Sequence, residues 1–179
     1  TYEVAMSHLG MKILYGVINQ QPWALCERVC MPWVDMKALM EKEGVPLFSL
    51  ETRTPLNRFD VVGFTLQYEM SYSNILAMLK LGGIPLHTAE RTDADPIVCV
   101  GGPCAFNPEP LADFVDAVMI GDGEEMIVEF IAAVREWKKS DMTWMHAYDM
   151  HTRWHNMCGI PEDHPRDEPQ QEKGAVPDE

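Results

Sequence analysis

Apolar positions along this chain follow two periods that take turns. In "SHLGMKILYGVINQ", Leu9, Ile13, Leu14, Val17 and Ile18 recur at helical spacing, predicting a helix that begins near His8 with Ser7 as its N-cap. "ALCERVCMPW" reads as an extended segment ended by Pro32, and "DMKALMEKEG" as a short helix capped by Asp35 and closed by Gly44. "DVVGFTLQ" is a β-branched apolar run, the pattern of a strand buried on both faces. "SYSNILAMLKLGG" predicts a helix ended by Gly82 and Gly83. "PIVCVGG" is a second buried strand, "PEPLADF" a short helical turn, and "DAVMIG" a third strand. "DGEEMIVEFIAAVREWKK" closes the series as a helix whose stripe is Met126, Ile127, Phe130, Ile131 and Val134.

Strands alternating with helices predict an α/β fold, a doubly wound parallel sheet covered on both faces. Ligands of such sheets bind beyond the carboxyl ends of the strands. The loops after Phe64, Val100 and Ile120 all fall at that edge. The pattern is expected over residues 1–140. A Met-, Trp- and His-rich segment follows at 141–160, expected as a separate helical piece, and the acidic, proline-rich tail at 161–179 is expected to be disordered.

Composition narrows the function. The chain has 179 residues, 28 acidic against 14 basic, and a net charge of −14, which argues against nucleic acid or an anionic membrane surface as partner. No run approaches the roughly 18 apolar residues of a membrane helix. The opening "TYEVAMSHLG" lacks both a signal core and an initiator Met, so a processed or truncated cytoplasmic chain is expected. The five cysteines, at 26, 30, 99, 104 and 158, look like reduced thiols rather than a disulfide framework.

Candidate chemistry is sparse. Gly101 and Gly102 end a strand in "VCVGGPCAFNPEP", either so that a ligand can lie against bare backbone or because a tight turn needs positive φ there. In "GDGEE", Gly121 and Gly123 could shape a ligand edge. The carboxylates Asp122, Glu124 and Glu125 speak against phosphate, and Asp122 with Glu125 resembles a capping box. Cys26 and Cys30 have half the spacing of a radical-generating cluster motif, but Trp33 stands where the third cysteine belongs. His8 is either an axial metal ligand or a helix-start residue. His151, His155 and Cys158 would share one face of a helix and form a metal set, or else belong to a partner-facing helix. No nucleophile or general base is nominated, and no Walker or dinucleotide loop is present.

The phrases "YEVAMSHLG", "PLFSLETRTPL", "FDVVGFTLQYEMSYSNIL", "GGIPL" and "GGPCAFNPEPLADFVDAVMIGDGEE" together resemble the N-terminal, cobalamin-binding-like (Rossmann-like) domain of a family of large bacterial radical SAM proteins, over roughly residues 2–139. The resemblance implies a radical SAM barrel, in cis or in trans, that would carry the [4Fe-4S] cluster and S-adenosylmethionine. This chain alone would then position a corrinoid or a substrate and would not itself be catalytic. It further implies that most of the first strand is absent, which would leave an open sheet edge and favour self-association. "MSHLGM" lacks the Asp-x-His-x-x-Gly loop of histidine-ligated cobalamin. Cobalamin would therefore sit without a histidine ligand, or the fold is kept without it as a non-catalytic interaction module. By the same resemblance Thr65, Leu66, Gly101 and Gly102 would flank the groove for the nucleotide tail of cobalamin. Pro103 would stiffen that groove, and Gly121 and Gly123 would border it.

Overall fold

The β-branched runs do pair, and in parallel. In the computed structural model, which describes residues 2–140, they form a three-stranded sheet in the order β1 (Val61–Thr65), β2 (Ile97–Gly101), β3 (Ala117–Met119). Val61 lies opposite Ile97 and Thr65 opposite Gly101, while Cys99 lies opposite Ala117. Five helices accompany the sheet: α1 (Tyr2–Ser7), α2 (Leu9–Asn19), α3 (Val34–Glu43), α4 (Tyr72–Leu81) and α5 (Gly123–Lys138). This is an α/β fold of the Rossmann-like, doubly wound kind. Expectations for 141–160 and 161–179, including His151, His155 and Cys158, lie outside the described residues.

Alternation along the strands divides the core in two. Val62, Val98, Val100 and Val118 point one way and pack with Ile75, Met78 and Leu79 of α4. Ile97, Cys99, Ala117 and Met119 point the other way, against Met126, Ile127, Phe130, Val134 and Trp137 of α5, and Leu14, Val17 and Ile18 of α2 pack beside them. The apolar stripe of α5 thus does what its spacing predicts, with Ile131 at its margin.

β2, flanked on both sides, is buried from Ile97 to Val100, and β3 is buried throughout. β1 is not, contrary to the expectation from its sequence: it lies at the sheet's edge, with Gly63 and Thr65 exposed. The Asp60 carbonyl accepts from Ile97 and the Leu66 N–H donates to Gly101, so even-numbered residues of β1 bond to β2. The backbone groups of Val61, Gly63 and Thr65 point outward, where no hydrogen bond reaches them among the described residues.

At the amino ends of β2 and β3 the opposite holds. Arg91 is almost wholly buried, its side chain 5% exposed. Its Nη1 donates to Asp116 Oδ2 at 2.6 Å, Nε to the Pro85 carbonyl at 3.0 Å, and Nη2 to the Leu86 and Phe114 carbonyls at 2.9 and 2.6 Å. Asp116 Oδ2 also accepts from the Val98 N–H at 2.8 Å. One guanidinium therefore ties the entry into β2 to the entry into β3, with every contact charge-assisted.

Helix ends depart from expectation in three places. The cap of α2 is His8, whose Nδ1 accepts from the Met11 N–H at 3.0 Å, and Ser7 instead ends the preceding α1. Asp35 sits inside the first turn of α3, accepting from Met36, while Trp33 holds the N-cap position. Asp122 holds the N-cap of α5 without a side-chain bond, so the expected capping box does not form. Gly44 closes α3 in the left-handed conformation, φ 65°, as expected. The stretch 26–32 has no ladder partner. It is pinned by Asn19, which brackets Cys26, and by the Leu50 N–H donating to the Arg28 carbonyl.

Candidate functional site

The carboxyl edge of the sheet is built by the chain beyond β1, β2 and β3. Past β1, Leu66 stays in line: its N–H donates to the Gly101 carbonyl at 2.7 Å and its carbonyl accepts from the Cys104 N–H at 3.1 Å. Its side chain is wholly buried in the core. Gly102 has φ +109°, and a Cβ there would stand 2.8 Å from the Leu66 carbonyl oxygen and 3.1 Å from its nitrogen. The backbone that approaches this glycine so closely is therefore the chain's own. Gly101 is less constrained, since a Cβ there would meet Met119 at an ordinary 3.5 Å. Pro103 begins the tight helical turn Pro103–Phe106, and Thr65 Oγ1 accepts from Gln67 Nε2 at 2.7 Å.

Thr65, Leu66, Gly101, Gly102 and Pro103 thus meet at one place. Gly121, φ +117°, follows β3 and is exposed, and a Cβ there would meet Met126 Cε at an ordinary 3.9 Å. Gly123 turns elsewhere: it begins α5, and a Cβ there would stand 3.3 Å from Leu14 Cδ2, so its smallness serves the contact with α2. His8 uses Nδ1 as a cap acceptor.

The residues that dominate this edge are ones the sequence reading did not single out. Tyr68, Met70 and Phe106 are 57%, 81% and 73% exposed on the loops after β1 and β2. Tyr72 Oη donates to the Asn107 carbonyl at 3.3 Å and holds those two loops together. Burial, and after it the Glu69 carboxylate, push the Cys104 thiol above its ordinary range. Tyr72 is raised by burial, by Cys104 and by Glu69 in turn. No Lys or Arg occurs from Phe59 to Leu79 or from Thr92 to Val134, whereas Glu69, Glu109, Asp122, Glu124 and Glu125 all do. A signal was present in the sequence, in the large apolar residues set among polar ones in "LQYEMSY" and "CAFNPE".

A corrinoid's nucleotide tail carries a phosphate, and this edge fits it poorly. The backbone at Gly102 is already covered by Leu66, Gly123 serves helix packing, and the charged residues of the strand-end loops are all acidic. Among the described residues there is no group of three or more His, Cys, Asp or Glu that could hold a metal ion. Nor is any described helix long and apolar enough to cross a membrane.

A parallel α/β sheet with its loops gathered at the carboxyl edge defines a Rossmann-like domain. The particular family follows from comparison: residues 10–158 match the family described as radical SAM proteins, N-terminal, and the chain belongs to it. The match runs past the end of α5 into the Met- and Trp-rich stretch. An uncharacterized protein of Methanocaldococcus jannaschii is 29% identical over 91 residues, covering 49% of this chain and 19% of that protein. The aligned part is thus about a fifth of that relative's length. No solved structure matches.

Proposed function

We propose that this chain is an accessory domain of a radical SAM protein, whose carboxyl edge is its working surface. It holds a substrate or partner in place for radical chemistry done by an iron–sulfur barrel, with S-adenosylmethionine, that lies outside these 179 residues. The observation that carries this reading is the family membership joined to the gathering of the three strand-end loops at one edge. The domain supplies position rather than chemistry. At this edge burial, and after it the Glu69 carboxylate, raise the Cys104 thiol, which disfavours its thiolate.

Two versions follow. In the first, the domain is a module that keeps the doubly wound fold and works without cofactor, which the Leu66–Gly102 contact and the acidic loops favour. In the second, a corrinoid binds without a histidine ligand, and the exposed Gly121, with its φ of +117°, is the feature that favours it. Titration with hydroxocobalamin, followed by gel filtration, separates them. Under the first version the purified chain emerges colourless at its folded elution volume. Colour travelling with the protein, with a spectrum free of histidine coordination, establishes the second.

A further inference from the structure

Exposed aromatic side chains and carboxylates that share loops without Lys or Arg form a surface with a definite complement. We propose that the carboxyl edge is a docking surface for a basic, arginine-bearing polypeptide. The inference rests on the reading above in one respect, that this edge is the working surface. Tyr68, Met70 and Phe106 stand out from two loops that the Tyr72–Asn107 hydrogen bond keeps together. Glu69 and Glu109 lie on those same loops, and Asp122, Glu124 and Glu125 follow the third strand.

Other occupants fit less well. The Leu66 backbone lies against Gly102, so that glycine offers a small molecule no bare backbone on this side. Nucleic acid and anionic lipid are repelled by the charge. A second copy, itself carrying −14, is repelled in the same way. A guanidinium satisfies both features at once, lying flat on an aromatic ring while its N–H groups reach carboxylates. The chain already uses that contact internally, with Arg28 stacked 4.7 Å from the centre of Tyr15 and Arg135 5.0 Å from the centre of Trp23. Glu51 accepts from Arg28 Nε at 2.7 Å, which completes the same aromatic–guanidinium–carboxylate set. At the carboxyl edge the aromatic and acidic members are present and the guanidinium is left to the partner.

The test is a titration of the isotope-labelled 179-residue chain with octa-arginine, followed by amide chemical shifts, with octa-lysine as the comparison. Shifts concentrated at 66–72, 103–109 and 121–125, tighter binding of arginine than lysine, and weakening at high salt are expected. Replacing Tyr68→Ser together with Phe106→Ser weakens octa-arginine binding by about tenfold, from two exposed cation–π contacts. Because both rings lie outside the core, the variant keeps its fold, which its dispersed spectrum verifies. Equal binding of the two peptides, shifts centred on α3 at Glu41 and Glu43, or a double variant that binds as well as the parent would each overturn the proposal. Any of these can occur while the hydroxocobalamin experiment still returns a colourless chain, so the two readings fail separately.

Discussion

The two ends of the sheet treat charge in opposite ways. At the amino end, Arg91 and Asp116 are buried together, and each contact recorded for the guanidinium is with a carbonyl or carboxylate of the same chain. At the carboxyl end, carboxylates and aromatic rings face outward with no cation in their loops. One end is closed upon itself; the other exposes its charged and aromatic side chains. The difference sets a buried ion pair and an exposed acidic edge at opposite ends of one parallel sheet.

The largest effect should come from opening the closed end. Arg91→Leu removes the guanidinium from the largely buried Asp116 carboxylate and the donor from three carbonyls, a loss of about 3–5 kcal/mol. A shift of the urea midpoint measures it, and a variant as stable as the parent would break the comparison. Next comes the turn between β2 and its loop. Gly102→Ala forces a side chain into a φ of +109° against the Leu66 carbonyl, at a cost of about 1–3 kcal/mol. Gly101→Ala, one position earlier, stays within about 0.5 kcal/mol, since its new methyl meets only an ordinary contact. If the two alanines cost the same, Leu66 is not what that glycine accommodates.

Raising the pH probes a third place, away from both edges. Burial, with the Glu51 carboxylate adding to it, pushes the Cys26 thiol from 9.0 up to about 11. The folded state therefore holds this proton more tightly than the unfolded one. Stability from that source is full below pH 9 and is lost as the pH climbs through about 11. Cys26→Ser should flatten this alkaline loss in melts taken across that window. The smallest effect is expected at the open end. Tyr68→Ser with Phe106→Ser moves the urea midpoint by no more than about 0.5 kcal/mol in stability, because neither ring supports the core. A large loss there would make the open end structural after all.

How much of this was legible follows from where each signal lies. β2, β3, α4 and α5 could be read directly, because each buries a run or stripe against a neighbour and the period survives in the sequence. β1 was misjudged as doubly buried: "VVGFT" has the composition of a central strand, and only the sheet order puts it at the edge. The caps of α2 and α3 were misassigned because Ser, His and Asp can each fill the role. The choice depends on backbone geometry one residue away. Arg91 was invisible, since its partner Asp116 lies 25 positions along the chain and neither stands in a local pattern. Of the residues expected at the edge, most do gather there. The exposed rings that mark it were missed because loop apolar residues have no period to reveal them.

The outward row of backbone groups on β1 also has a consequence in time. Val62 and Phe64 give their amide protons to β2, whereas those of Val61, Gly63 and Thr65 meet no acceptor among the described residues. In heavy water the strand should therefore exchange in a stripe, every second amide vanishing early while its neighbours persist until the sheet opens. A single five-residue segment would then report two clocks, one for solvent reaching the edge and one for the domain coming apart.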